Sequence, residues 1–179
     1  MIGLKYIETY RDYLDYLERH LNNVERAFKL LEKKCSRMKV FHDDFWYWTL
    51  REEVYSHDIS KFSPEEFTQY ALYFKNKMDF LDTKEIEENF KKAYEHHVIH
   101  NNHHWENWTK SECNRPHYQD ICCTHMVIDV IAMSFEFKDD PLEYFRSKYE
   151  KTTIPEWAQD YIEEIFKCVG NVHEEEENG

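Results

Sequence analysis

Between Tyr6 and Leu31, apolar residues recur at Ile7, Tyr10, Leu14, Leu17, Leu21, Val24 and Phe28. Steps of three and four become one continuous face in an α-helix. A single amphipathic helix is not stable alone, so its stripe must be covered by other elements of the chain. No later segment alternates apolar and polar residues as a half-buried strand would. Three glycines and four prolines, widely spaced, are too few to turn a β-sandwich or barrel. The expectation is an all-α fold. With 179 residues, 41% of them hydrophobic and 17% aromatic, the chain can bury one core, and a single domain is expected.

The remaining elements follow from start and stop signals. Asp43 and Asp44 can cap a helix over 45–55. Ser63, Pro64 and Glu66 form a capping box with proline at the first helical position, which predicts a helix from 64 to about 76. Residues 77–83 read as a turn, with Thr83 a cap for a helix over 84–100. The polar, aromatic stretch 101–117 reads as irregular, stopping at Pro116. A helix over 118–137 carries Ile121, Met126, Ile128, Ile131, Ala132 and Phe135. Asp139-Asp140-Pro141 breaks it and opens a short element, and Thr153 with Glu156 brackets the start of a last helix ending near Gly170. One helical domain is therefore expected over 1–170, with an acidic, disordered tail over 171–179.

Charge narrows the function classes. Twenty-three basic against 36 acidic residues give a formal charge of −13, of which Glu174–Glu177 carry four. Duplex nucleic acid is a poor partner for such a surface, because phosphate binding needs a basic footprint. There is no 18-residue apolar run and no signal-peptide pattern, so neither a membrane partner nor export is expected. The five cysteines lack CxxC spacing, and reduced thiols in a cytoplasmic setting are the natural reading. The 13 Tyr, 12 Phe and 5 Trp would permit a homo-oligomer through a helical interface without requiring one.

Histidine is the most informative residue. There are 11, and most fall between His96 and His125. The strongest local signal is His57-Asp58-Ile59-Ser60-Lys61, with His20 before it in the first helix. After it come His96, His97, His100, His103 and His104, then Asp129 within the apolar helix. Imidazole nitrogen and carboxylate oxygen suit divalent Mn, Fe, Co, Ni or Zn. An aspartate among Met126, Ile128, Val130 and Ile131 is costly to desolvate unless paired or metal-bound. His125, one turn before Asp129, shares its face. His103 and His104 are adjacent, so both can ligate one site only where the backbone is not regular helix.

In this order of residues the chain resembles the HD superfamily of metal-dependent phosphohydrolases, whose pattern is His, His-Asp, one or more His, then Asp. Ser60 stands where that family usually carries glycine, and its third and fourth histidines usually lie farther apart than His97 is from His103 or His104. The stretches His57–Phe67, Asn101–Glu106 and Met126–Ser134 look closer still to a family of small uncharacterised phage and bacterial proteins. The resemblance implies a compact multi-helix bundle around a central metal site that holds two divalent transition-metal ions. His20, His57, Asp58 and Asp129 would hold one ion. Asp58 would bridge to a second, held by histidines drawn from His97, His103 and His104. Lys61 would orient substrate phosphate or stabilise developing charge, and Asp58 and Lys61 are the expected catalytic residues. Trp105 could stack on a base and Arg115 could meet phosphate bidentately. Glu106 is a candidate proton shuttle.

The function this implies is hydrolysis of a small phosphorylated molecule, a nucleotide or cyclic nucleotide, by a hydroxide activated between two metals. The acidic body favours a small substrate over a long polyanion. Two alternatives stay open. Some HD proteins use a diiron centre to activate oxygen, and the histidine count here suits that as well. A non-enzymatic protein that sequesters a ligand or blocks a partner would need no metal chemistry.

Overall fold

The computed structural model describes residues 1–110, 116–148 and 154–173. The fold is all-α, and among these residues there is no strand. The helices are α1 (Ile2–Lys34), α2 (Lys39–His42), α3 (Asp44–Tyr55), α4 (Phe67–Lys75), α5 (Thr83–His100), α6 (Trp105–Lys110), α7 (Pro116–Phe137), α8 (Pro141–Lys148) and α9 (Glu156–Val169), with a 3-10 turn over Ile59–Phe62. No helix among the described residues is long and apolar enough to cross a membrane.

Helix ends show how local chemistry sets the elements. Asp43 caps α3 by accepting from the backbone N–H of Phe45 and Trp46. At α5 the cap is Asp82, whose carboxylate accepts from Lys84 N at 2.9 Å, so Thr83 is the first helical residue and not the cap. The capping box expected at Ser63 and Glu66 does not form. The helix starts at Phe67, and Glu66 makes no side-chain cap bond because its carboxylate is engaged by histidines. Pro116 opens a helix where a stop was expected, which suits a residue without an N–H. The stretch expected to be irregular contains α6.

By internal contacts the chain divides into two compact units, Met1–Arg19 with Asp58–Asn101, and His20–His57 with Asn102–Gly179. In the first unit α4 packs on α5. Its core is aromatic: Tyr13, Leu17, Tyr70, Ala71 and Ala93 are buried, with Tyr10, Phe67 and Phe90 against them. The second unit is built on α7, which meets α2, α3, α6, α8 and α9. This helix is apolar nearly all round, with Ile121 to Ile128 and Val130 to Ala132 buried, as a helix enclosed by others must be.

Along α1 the buried positions include Thr9, Tyr13, Leu17, His20, Val24, Ala27 and Leu31, in steps of three and four, together with Phe28 and Leu30. The face is rotated from the most apolar one, since Ile7 and Leu14 are exposed. Thr9 earns its place by accepting the Lys77 backbone N–H at 3.3 Å. The rotation puts His20 inside the stripe. Of the tail expected from 171, Val172 is buried and His173 Nε2 meets the Asp139 carbonyl at 3.0 Å; the run Glu174–Glu177 lies outside the described residues.

Candidate metal centre

Four stretches of the second unit supply its buried imidazoles and one carboxylate. α1 presents His20. α3 ends at Tyr55, and Ser56, whose hydroxyl bonds back to the Glu52 carbonyl, leads into His57. The turn after α5 carries His103 and His104, so the non-helical backbone that two adjacent ligands need is present. α7 offers His125 and Asp129, four residues apart on one face.

These groups converge. His20 Nε2 lies 3.0 Å from His57 Nε2. Asp129 Oδ1 lies 3.4 Å from His20 Nε2 and 3.6 Å from His57 Nε2. On its other side, His57 Nδ1 meets His125 Nε2 at 2.9 Å. The His103 ring packs 4.3 Å from His57 and 4.8 Å from His125, centroid to centroid. His20, His57, His103 and His125 are each at most 4% exposed, while Asp129 is partly open. Within 4.8 Å, the ligand atoms form two overlapping trios, His20–His57–Asp129 and His57–His103–His125.

The donor set suits a cation. A neutral imidazole carries one N–H, so His57 cannot donate on both sides. If Nδ1–H points to His125, Nε2 presents a lone pair towards His20 and Asp129. From separations of 3.0, 3.4 and 3.6 Å, a point equidistant from the three atoms lies about 1.9 Å from each, close to the ~2.0–2.2 Å of divalent metal bonds to these ligands. These three groups could hold a metal ion.

The first unit holds a different network. Asp58 adopts the left-handed conformation at φ 57°, which aspartate tolerates better than most residues. Lys61 Nζ donates to its Oδ2 at 2.5 Å, and its Oδ1 faces His97 Nε2 at 3.3 Å. The other face of His97 is fixed: Nδ1 lies 2.8 Å from Glu66 Oε2, and His96 Nδ1 lies 2.7 Å from Glu66 Oε1. Asn101 Nδ2 donates to Ser60 Oγ and to the His97 carbonyl, each at 2.7 Å.

Electrostatics follow that arrangement. For Glu66, burial raises the pKa, but hydrogen bonds from His97, His96 and Ser60 outweigh it and the net direction is down. For His97, burial lowers the pKa, bonds to Asp58 and Glu66 raise it, and the net direction is up. Burial, followed by the charges of Asp58 and Glu66, pushes the Tyr13 and Tyr70 phenols up, so they stay protonated.

Of the residues singled out from sequence, His20, His57, His103, His104 and Asp129 fall in the second unit, where the His103 and His104 rings are 4.4 Å apart. Asp58, Lys61 and His97 fall in the first. Trp105 packs against the second unit's apolar core, and Arg115 lies outside the described residues. His100 stacks on His96 at 4.0 Å. Two participants were missed as central residues. His125 was signalled by its four-residue spacing from Asp129. Glu66 was hidden behind its reading as a capping residue.

The chain belongs to DUF5662, a family of unknown function, whose profile matches residues 9–175. Comparison with curated proteins and with solved structures gives no match.

Proposed function

We propose that this member of DUF5662 is a metal-dependent phosphohydrolase of the HD type, acting on a small phosphorylated molecule, with nucleotides the leading substrate class. The observation that carries the reading is the convergence of His20 Nε2, His57 Nε2 and Asp129 Oδ1 in a buried, imidazole-rich pocket of the second unit. When bound there, a divalent cation would lower the proton affinity of a water and offset charge on a phosphoryl group. With Nδ1–H donating to His125 Nε2, the His57 ring would be held with its Nε2 lone pair towards the ion. His103, packed on His57, adds a further nitrogen.

The HD pattern adds Asp58, Lys61 and His97, the residues of the first unit's network. Asp58 Oδ1 and His97 Nε2 face each other and are donors for a second ion, so we expect two equivalents. Lys61 is held by Asp58 as a fixed cation suited to a substrate phosphate. The net charge of −13 favours a small anion drawn to a local cationic centre over a polyanion.

The test is elemental analysis of protein purified without chelator, comparing wild type with His57→Ala, followed by phosphate release from a nucleotide panel with added Mn, Co or Fe. Near two equivalents of transition metal, depleted in the variant, with phosphate release that follows the metal, is the expected result. Folded protein that neither retains nor takes up metal would sink the reading and leave a non-enzymatic binder. The histidine-rich donor set also suits iron; iron alone, with oxygen consumption and no phosphate release, would favour the oxidative reading.

A further inference from the structure

Among the described residues, Glu66 is the most deeply buried carboxylate, and it serves neither as a side-chain cap nor in an ion pair with lysine or arginine. Its side chain is fully buried, and its two oxygens are divided between two histidines, Oε1 to His96 Nδ1 at 2.7 Å and Oε2 to His97 Nδ1 at 2.8 Å. Both contacts are to the same ring nitrogen of neighbouring residues. Ser60 Oγ accepts from Asn101 Nδ2 at 2.7 Å and lies 3.2 Å from His97 Nδ1. Each histidine can present an Nδ1–H to Glu66, and an ionised carboxylate accepts both, while Asn101 Nδ2 also lies 3.1 Å from His97 Nδ1.

That arrangement decides which nitrogen of His97 is available. With Nδ1–H committed to Glu66, a neutral His97 must carry its lone pair on Nε2, the atom 3.3 Å from Asp58 Oδ1. Two acceptors then face each other across a gap that a cation can close. A histidine ligand whose other nitrogen donates to a carboxylate is more basic and better oriented than a free one.

We propose that Glu66 is a positioning residue: it fixes the tautomer and ring orientation of His97, with His96 as its second partner, so that His97 Nε2 and Asp58 Oδ1 form a ready-made donor pair for a divalent cation. The cation-binding part rests on the metal-dependent reading above; the tautomer part does not.

The experiment separates the two. In metal-free wild type with 15N-labelled histidine, imidazole nitrogen–proton correlations read which nitrogen of neutral His97 is protonated. The expected result is Nδ1–H with a bare Nε2. Glu66→Gln, checked for folding by circular dichroism, offers one carbonyl oxygen where the carboxylate offered two. His97 should then shift towards the Nε2–H tautomer, and affinity for Co2+ alone, followed by its visible spectrum, should fall about 10- to 100-fold. A neutral His97 that carries its proton on Nε2 in wild type overturns the proposal without any variant. So does a Glu66→Gln protein with unchanged tautomer, or with Co2+ affinity within about twofold of wild type. Wild type that shows the expected tautomer yet binds no Co2+ would overturn the metal reading while supporting the positioning of His97 by Glu66.

Discussion

In the first unit, Asp58 and Glu66 are buried beside Lys61, His96 and His97, and each carboxylate oxygen has a basic nitrogen within 3.3 Å. In the second, four buried imidazoles lie close to one another, and two of them, His20 and His57, face the partly open carboxylate of Asp129. In the first arrangement carboxylates alternate with basic side chains, and the pair His97 Nε2 and Asp58 Oδ1 is the one place proposed for a cation. The second gathers imidazole nitrogens around one carboxylate, a set that could hold a metal ion. Buried groups of that kind are stabilised by something that supplies charge without supplying another lone pair. The difference teaches that burial of polar residues takes two forms here, carboxylates alternating with basic side chains in one unit and imidazoles gathered beside a single carboxylate in the other.

The largest test of that contrast is metal loading. At about 1,000 times its dissociation constant, a cation that binds the folded state alone adds about 4 kcal/mol of stability. Calorimetry of wild type with Co2+ and after chelation should show that gain, and His57→Ala should remove it. Identical unfolding in both conditions would break the comparison. Next in size is Glu66→Ala in metal-free protein, which strands two histidine N–H groups beside a vacated site and should cost about 3 kcal/mol in urea unfolding. Asp129→Asn, at a partly open carboxylate, should cost less than about 1 kcal/mol under the same conditions. Equal costs would mean that the second unit's cluster is as self-sufficient as the first's.

The pH profile sharpens the point. Glu66 is held below its ordinary value of 4.5, so its contribution is present above 4.5 and is lost as pH falls through the lower folded value. His97 is held above 6.5, so its contribution is complete below 6.5 and is lost as pH rises through the higher folded value. The urea midpoint of metal-free protein should therefore be highest between those two ordinary values, and Glu66→Gln should flatten its acid limb. A midpoint that kept rising above pH 8 would contradict the assignment to His97.

How much of this was legible in the sequence depends on whether a residue's partners are local. The all-α fold, the cap at Asp43 and the long apolar helix around Asp129 follow from spacing within a few residues. His20, His57, Asp58 and Asp129 stand out by residue type and order, and the structure groups three of them in one unit. The buried face of α1 was misjudged because hydrophobicity ranks Ile7 and Leu14 above Thr9 and Tyr13; the order reverses once Thr9 accepts the Lys77 N–H. Glu66 shows the same limit at the site. Its spacing from Ser63 satisfies a local rule completely, while the partners that claim its carboxylate lie 30 and 31 residues away.

The smallest expected effect uses tyrosines to compare the two units. Tyr118 in the second donates to Glu53 and accepts from Asn102 at 2.7 Å, so Tyr118→Phe should cost about 2 kcal/mol, the range for a hydrogen bond to a charged group. Tyr13 in the first is fully buried, and its hydroxyl has no hydrogen-bond partner among the described residues. Removing a buried donor that makes no bond relieves a desolvation penalty, so Tyr13→Phe should stabilise by about 1 kcal/mol. Tyr70→Phe should act in the same direction, because its hydroxyl is in the same state. Urea unfolding of the three variants decides the matter by sign. A Tyr13→Phe protein less stable than wild type would mean that an internal water links this phenol to a polar partner. The first unit's balanced network would then extend to the aromatic core beneath it.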